Sequence, residues 1–134
     1  MGTNDTNTID REAGEHSFSF RHAHAVVCAL IQNVDGRTLK NRMNQWRQHQ
    51  GCPRGSKTGR GRAAVYTRAM VLECAFVAEL SRFGIIPDRS VPMAVRLVDN
   101  GGSIIRPDRD SATQIVVDRD RVEAAVDHVL GQSK

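Results

Sequence analysis

The stretch between Thr67 and Gly84 constrains the fold most, because it is apolar on nearly every side when placed on a helix. Its apolar residues are Met70, Val71, Cys74, Phe76, Val77, Ala78, Leu80 and Phe83. A helix that is apolar all round must be buried on several sides. Thr67 can cap its first turn and Gly84 can end it. We therefore predict a central core helix here, against which the other elements pack.

A shorter helix is predicted before it, from about residue 20 to residue 32, with Ser19 as its cap. Its core face carries Val26, Val27, Leu30 and Ile31. Four residues, 33–36, then break the helical pattern and end in an Asp-Gly pair, which is typical of a turn. A second helix can therefore begin immediately after this turn.

The second predicted helix covers residues 37–50 and stops at Gly51, with a proline two residues further on. One apolar stripe runs along it at the spacing i, i+4, i+7, formed by Leu39, Met43 and Trp46. The rest of the helix is polar. A helix, a short turn and a polar-faced second helix predict a helix-turn-helix arrangement.

The second helix lies within a run of basic residues that contains no acid. Between Asp35 and Glu73 there are nine Lys or Arg residues out of 19 in the chain. Residues 1–15 carry a net charge of −3 and residues 73–134 a net charge of −2. The positive charge is therefore concentrated in one segment, which favours a polyanion-binding surface.

The polar face of the second helix has the side chains that recognise bases. Arg pairs with guanine edges, Asn and Gln pair with adenine edges, and Thr can contact a base or a phosphate. A helix with one face to pack and one face to read suits the major groove. The residues predicted to enter it are Arg37, Thr38, Asn41, Arg42 and Gln45.

Residues 52–61 form a loop with three glycines, a proline and three basic residues. Residues 62–66 can be the extended return of a hairpin, so this segment is predicted to be a wing. Wings lie along the phosphate backbone or in the minor groove. The residues expected to hold phosphates are Lys40 and Arg47 of the helix with Lys57 and Arg60 of the loop.

Residues from about 18 to 86 resemble the MerR-like winged helix-turn-helix domain. The matching segments are the polar helix Thr38–Gln48, the basic loop, Gly61–Thr67 and the helix end Leu80–Gly84. In that family a Gly-x-Arg-x-Tyr-Ser/Thr segment closes the wing and contacts the DNA backbone. The resemblance implies that Arg62 and Tyr66 contact phosphates. The chain lacks the family's long dimerising helix, so metal or drug sensing is not implied.

The last third has a different pattern. Beyond an extended segment at residues 85–87 and a short helix at about 91–98, two β-branched runs, 103–106 and 113–117, predict a hairpin. Asp118 can cap a final helix that reaches about Leu130. A hairpin and one helix bury little surface unaided. We expect this module to pack on the first domain or on a second copy of itself.

The sequence gives little support for a metal site, an enzyme or a membrane protein. Cys28, His49, Cys52 and Cys74 lack the paired spacing of a structural zinc site, so no metal and no cofactor are expected. No nucleophile elbow or nucleotide fingerprint is present, which argues against an enzyme. Three cysteines, no signal peptide and no apolar run near ~18 residues favour a cytoplasmic, nucleoid-associated protein without a membrane partner.

These patterns predict a mainly α (α+β) fold: a winged helix-turn-helix followed by a β-hairpin and helix. The predicted organisation is a flexible tail at 1–15, a DNA-binding domain at 16–100 and a dimerisation module at 101–134. The predicted function is sequence-specific binding of double-stranded DNA as a homodimer, as in a transcriptional regulator that contacts RNA polymerase. Two alternatives stay open, a phage-type packaging, excision or architectural factor and a protein-interaction module.

Overall fold

The computed structural model describes residues 17–56 and 64–132. The helices are α1 (Phe20–Leu30), α2 (Gly36–Gln45), α3 (Arg68–Ser81), α4 (Pro87–Asn100) and α5 (Arg119–Gly131), and α2 continues as a π-helical turn over Trp46–Gln50. Two short strands, β1 (Ile104–Ile105) and β2 (Ile115–Val116), pair antiparallel. The predicted mainly α fold with one small hairpin is confirmed. The predicted N-terminal tail lies outside the described residues.

Helix α3 is the centre of the core, as the sequence predicts. Eight consecutive residues, 71–78, are buried, and α1, α4 and α5 all pack against the helix. Thr67 caps it, because its side chain accepts a hydrogen bond from the Met70 backbone N–H. A helix whose central eight residues are all buried fixes the positions of the elements that surround it.

The first two helices form the predicted pair, with a short connection between them. Asp35 caps α2 and accepts hydrogen bonds from the backbone N–H of Thr38 at 2.9 Å and from its hydroxyl at 2.8 Å. His24 of α1 bonds the carbonyl of Gly36, with Nε2 at 2.6 Å from the oxygen. At the other end, Gly51 has a φ of +66°, the left-handed conformation that ends many helices. Both ends of this polar helix are therefore fixed.

Helix α4 begins four residues earlier than predicted. Ile86 is extended, with a ψ of 154°, and Pro87 takes the first helical position. Proline is well suited to that position, since its missing N–H has no partner there. The sequence pattern placed the start near Pro92, which lies inside the helix. Gly101, with a φ of +74°, ends α4.

The C-terminal module packs on the helical domain of its own chain. Ile104 pairs with Val116 and Ile105 with Ile115. Asp118 caps α5 as predicted, accepting from the Arg121 backbone N–H at 3.1 Å. Helix α5 lies against α1 and α3 and buries Val122, Val126 and Leu130. Of the two packing arrangements predicted for this module, the structure has the first.

The predicted return strand of the wing has a different partner from the one expected. Tyr66 pairs with Phe18, just before α1, through two backbone hydrogen bonds of 2.8 Å. A hairpin return would pair with the segment that leads into the loop. Among the residues described here, the end of the wing segment is instead joined to the start of the helical domain.

Candidate nucleic-acid interface

Helix α2 turns its polar face outward. Leu39, Met43 and Trp46 are buried, with 0%, 3% and 4% of their surface exposed. Arg37, Asn41 and Gln45 are exposed and follow the spacing i, i+4, i+8. Residues at this spacing lie on one side of a helix. The structure therefore brings three of the five predicted base-reading residues together in one exposed row.

The Lys and Arg side chains of α2 and its π-helical turn have no acidic partner in the part of the chain that the structure describes. Within residues 17–56 and 64–132, no carboxylate forms an ion pair with Arg37, Lys40, Arg42 or Arg47. Elsewhere the arginines that are ion-paired are Arg54, Arg68, Arg82, Arg89 and Arg119. Lys40 and Arg42 are exposed and Arg47 is half-buried. Their charge is available to an external anion.

Two arginines of the basic run form ion pairs with carboxylates of the protein itself. Arg54 Nε lies 2.9 Å from the buried carboxylate of Glu73, and its Nη2 lies 2.9 Å from Asp99. Arg68 Nε lies 2.8 Å from Asp127 Oδ1, and its Nη2 lies 3.3 Å from Glu123 Oε1. The surface positive charge of this run is therefore smaller than the sequence suggests. Among the described residues of the run, the cations without an ion pair lie on α2 and its continuation.

Thr38 has a structural role that the sequence did not predict. Its hydroxyl donates to Asp35 and its backbone N–H bonds the same carboxylate. These hydrogen bonds lower the pKa of Asp35. Since the hydroxyl hydrogen is already used in the cap, Thr38 can offer DNA only an acceptor. Its predicted contact with a base would therefore be made as an acceptor.

Tyr66 does not fit its predicted contact with a phosphate. Only 1% of its surface is exposed, and its ring packs edge-on against Phe20. Burial raises the pKa of Tyr66 to about 12, so the phenol stays neutral. A buried ring cannot touch the backbone of a duplex that lies on the surface. The Tyr66 prediction is wrong in this structure, where the residue belongs to the core.

Arg42 lies apart from the row formed by Arg37, Asn41 and Gln45. It lines a cleft of about 360 Å³ together with Asn33 of the turn and with Ser81 and Arg82 at the end of α3. Sequence analysis assigned no function to Asn33 or Arg82. They are 49 positions apart, and no local pattern indicates that they meet. Arg42 is thus shared between the surface of α2 and this cleft.

The segment that leads into the predicted wing is held firmly. Arg54 donates from its backbone N–H to Glu73 at 3.0 Å, and Cys52 is buried. A hydrogen bond with Cys74, together with burial, raises the pKa of the Cys52 thiol. The predicted phosphate contacts Lys57, Arg60 and Arg62 lie outside the described residues.

In the part of the chain that the structure describes, no group of three or more His, Cys, Asp or Glu side chains could hold a metal ion. None of the described helices is both long enough and apolar enough to cross a membrane. Comparison with known proteins gives no match to a family model, a curated protein or a solved structure.

Proposed function

We propose that this protein binds double-stranded DNA sequence-specifically, with α2 in the major groove, and acts as a transcriptional regulator. The observation that carries the proposal is the exposed row of Arg37, Asn41 and Gln45 on a helix whose cations form no ion pair with any described residue. Arginine, asparagine and glutamine are the side chains that form bidentate contacts with guanine and adenine edges. Such a helix, fixed at both ends, can present them in one orientation.

The surrounding cations would position the helix on the duplex. Lys40 is exposed and Arg47 is half-buried at the other end of the helix. Phosphate contacts from such residues fix register and orientation but carry no sequence information. Lys57, Arg60 and Arg62 keep their assignment as phosphate contacts from the sequence. The resemblance to a MerR-like domain is likewise a sequence-based proposal.

We further propose a homodimer, a contact with RNA polymerase and a place at the nucleoid. Two copies of a helix-turn-helix read two half-sites about one helical turn apart, which raises affinity without a larger interface. The mechanism is positional: bound protein places itself, or the polymerase it contacts, at a promoter or operator.

Binding across salt concentrations tests the class of ligand. Fluorescence anisotropy would compare a mixed-sequence duplex, its single strand and heparin. We expect preference for the duplex, with a log–log salt slope that falls by ~0.9 when Lys40→Gln removes one phosphate contact. Gln114→Ala, in the exposed hairpin loop, is the control and should change nothing. Equal affinity for duplex and heparin would instead indicate a module for acidic protein partners.

A further inference from the structure

A polar groove runs between the helix-turn-helix and the C-terminal helix. It consists of two adjoining clefts of about 360 and 320 Å³ that share Asn33 and Arg82. The first cleft continues to Arg42 of α2, and the second continues to Gln32 of the turn and Arg121 of α5. Each cleft is large enough for a small ligand. The groove therefore joins elements that are far apart in the sequence.

Three arginines from three separate elements line this groove. Arg42 and Arg121 are exposed and form no ion pair with any described residue. Arg82 lies between them and donates to the Glu79 carboxylate through Nη1, at 3.0 Å and 3.3 Å. No described residue accepts a hydrogen bond from its Nε or Nη2. Since only Arg82 of these three arginines has an acidic partner among the described residues, the positive charges of Arg42 and Arg121 remain uncompensated there.

Neutral hydrogen-bonding groups complete the lining. Asn33 contributes to both clefts and Gln32 to one. The hydroxyl oxygen of Ser81, at the end of α3, is buried and has no hydrogen-bond partner among the described residues. Buried hydroxyls are nearly always bonded, and this one is free to form a hydrogen bond with a ligand in the groove. Converging guanidinium, amide and hydroxyl groups are donors suited to an oxyanion.

We propose that this groove is a binding site for a phosphate group, with Arg82 and Asn33 at its centre and Arg42 and Arg121 at its ends. Two sources could supply the phosphate: the DNA backbone, or a small phosphorylated molecule that binds beside the helix-turn-helix. Arg121 lies outside the surface assigned to base reading, so its replacement tests the site without removing a base contact.

The test uses the full chain, isotopically labelled, and titrates inorganic pyrophosphate at constant ionic strength while NMR spectra are recorded. We expect saturable shifts of the Asn33 side-chain amide and of the Arg82 Nε–H signal. Arg121→Gln should weaken this binding about tenfold, the equivalent of one charge-assisted hydrogen bond. Arg109→Gln, in the hairpin loop, is the matched control, because it also removes an exposed arginine without an ion pair among the described residues. Its affinity for pyrophosphate should stay unchanged.

A second titration with a 20-base-pair duplex separates the two sources. If pyrophosphate does not saturate the site but Arg121→Gln weakens duplex binding more than Arg109→Gln does, the site binds backbone phosphate. If pyrophosphate saturates it and Arg121→Gln selectively weakens that binding, a small phosphorylated ligand fits. The proposal is overturned if neither titration distinguishes the two variants. Arg82→Gln provides a second variant at the centre of the groove and should give the larger loss.

Discussion

Glu73 is the residue on which the position of the segment after α2 most depends. Its side chain is 2% exposed, and it accepts hydrogen bonds from the backbone N–H and from Nε of Arg54. The same arginine reaches Asp99 of α4. Arg54, held by this buried carboxylate, thus joins α3 and α4 to the segment that follows α2.

Replacing Glu73 with glutamine should lower the free energy of unfolding by about 2–3 kcal/mol. The change removes the charge that accepts from two donors of the half-exposed Arg54 and leaves a buried side chain that satisfies them incompletely. Urea unfolding followed by circular dichroism measures the loss. Asp127→Asn, which breaks an exposed ion pair, should cost less than ~1 kcal/mol. Similar losses in the two variants would show that the burial of Glu73 adds no stability beyond that of an exposed ion pair.

For a single residue, the sequence shows the type of side chain but not its burial or its partners in the fold. Glu73 is visible in the sequence only as the acid that ends the basic run, and its partner is 19 positions away. Tyr66 carries a phenol that suits a phosphate, yet packing against Phe20 buries it. Both outcomes depend on long-range contacts, which no spacing rule contains. The exposed row of Arg37, Asn41 and Gln45 was predictable because helical periodicity is local.

At the scale of elements, Arg68 joins α3 to α5 and predicts a pH dependence. Its guanidinium holds the pKa of Asp127 below the usual 3.8. A carboxyl group with a lowered pKa stabilises the folded state above its unfolded pKa, and this contribution is lost as the pH falls. We expect unfolding free energy to decline below pH 3.8.

Asp127→Asn should make that decline shallower, which urea unfolding between about pH 5 and pH 2 can measure. Asp110→Asn is the control, since Asp110 is exposed and forms no ion pair with a described residue. An unchanged pH profile in Asp127→Asn would contradict the assignment.

Element boundaries were predictable where a local signal sets them. Ser19, Thr67 and Asp118 precede their helices as predicted, because capping involves neighbours three residues apart. The predicted start of α4 was wrong, because Pro87 and Pro92 could each lie in the first turn of a helix and only packing decides between them. The π-helical turn at the end of α2 also has no sequence signal that periodicity detects.

For the whole molecule, dimerisation remains a prediction. Helix α5 packs on its own chain, but the paired Ile104 and Val116 stay exposed, with 59% and 74% of their surface accessible. We expect sedimentation equilibrium at micromolar concentration to give a dimer. Val116→Asp should produce monomers, while Val65→Asp, at an exposed valine elsewhere, should not. A monomeric wild-type protein would remove the proposal.

The overall arrangement was predictable in part. The apolar character of α3 requires a central position, and it was predicted correctly. The groove between Asn33, Arg82 and Arg121 could not be predicted, since α5 could have packed on another copy. Only the packing of α5 on α1 and α3 creates that groove.

The central claim is that the exposed face of α2 reads duplex DNA. Affinity selection of random duplexes at about 150 mM salt, with wild type and Asn41→Ala in parallel, tests it most directly. We predict an enriched motif with inverted half-sites ~10 base pairs apart for the wild type. Asn41→Ala should lose the preference at one position in each half-site. Retention without any enrichment, or the same motif from both proteins, would contradict the claim.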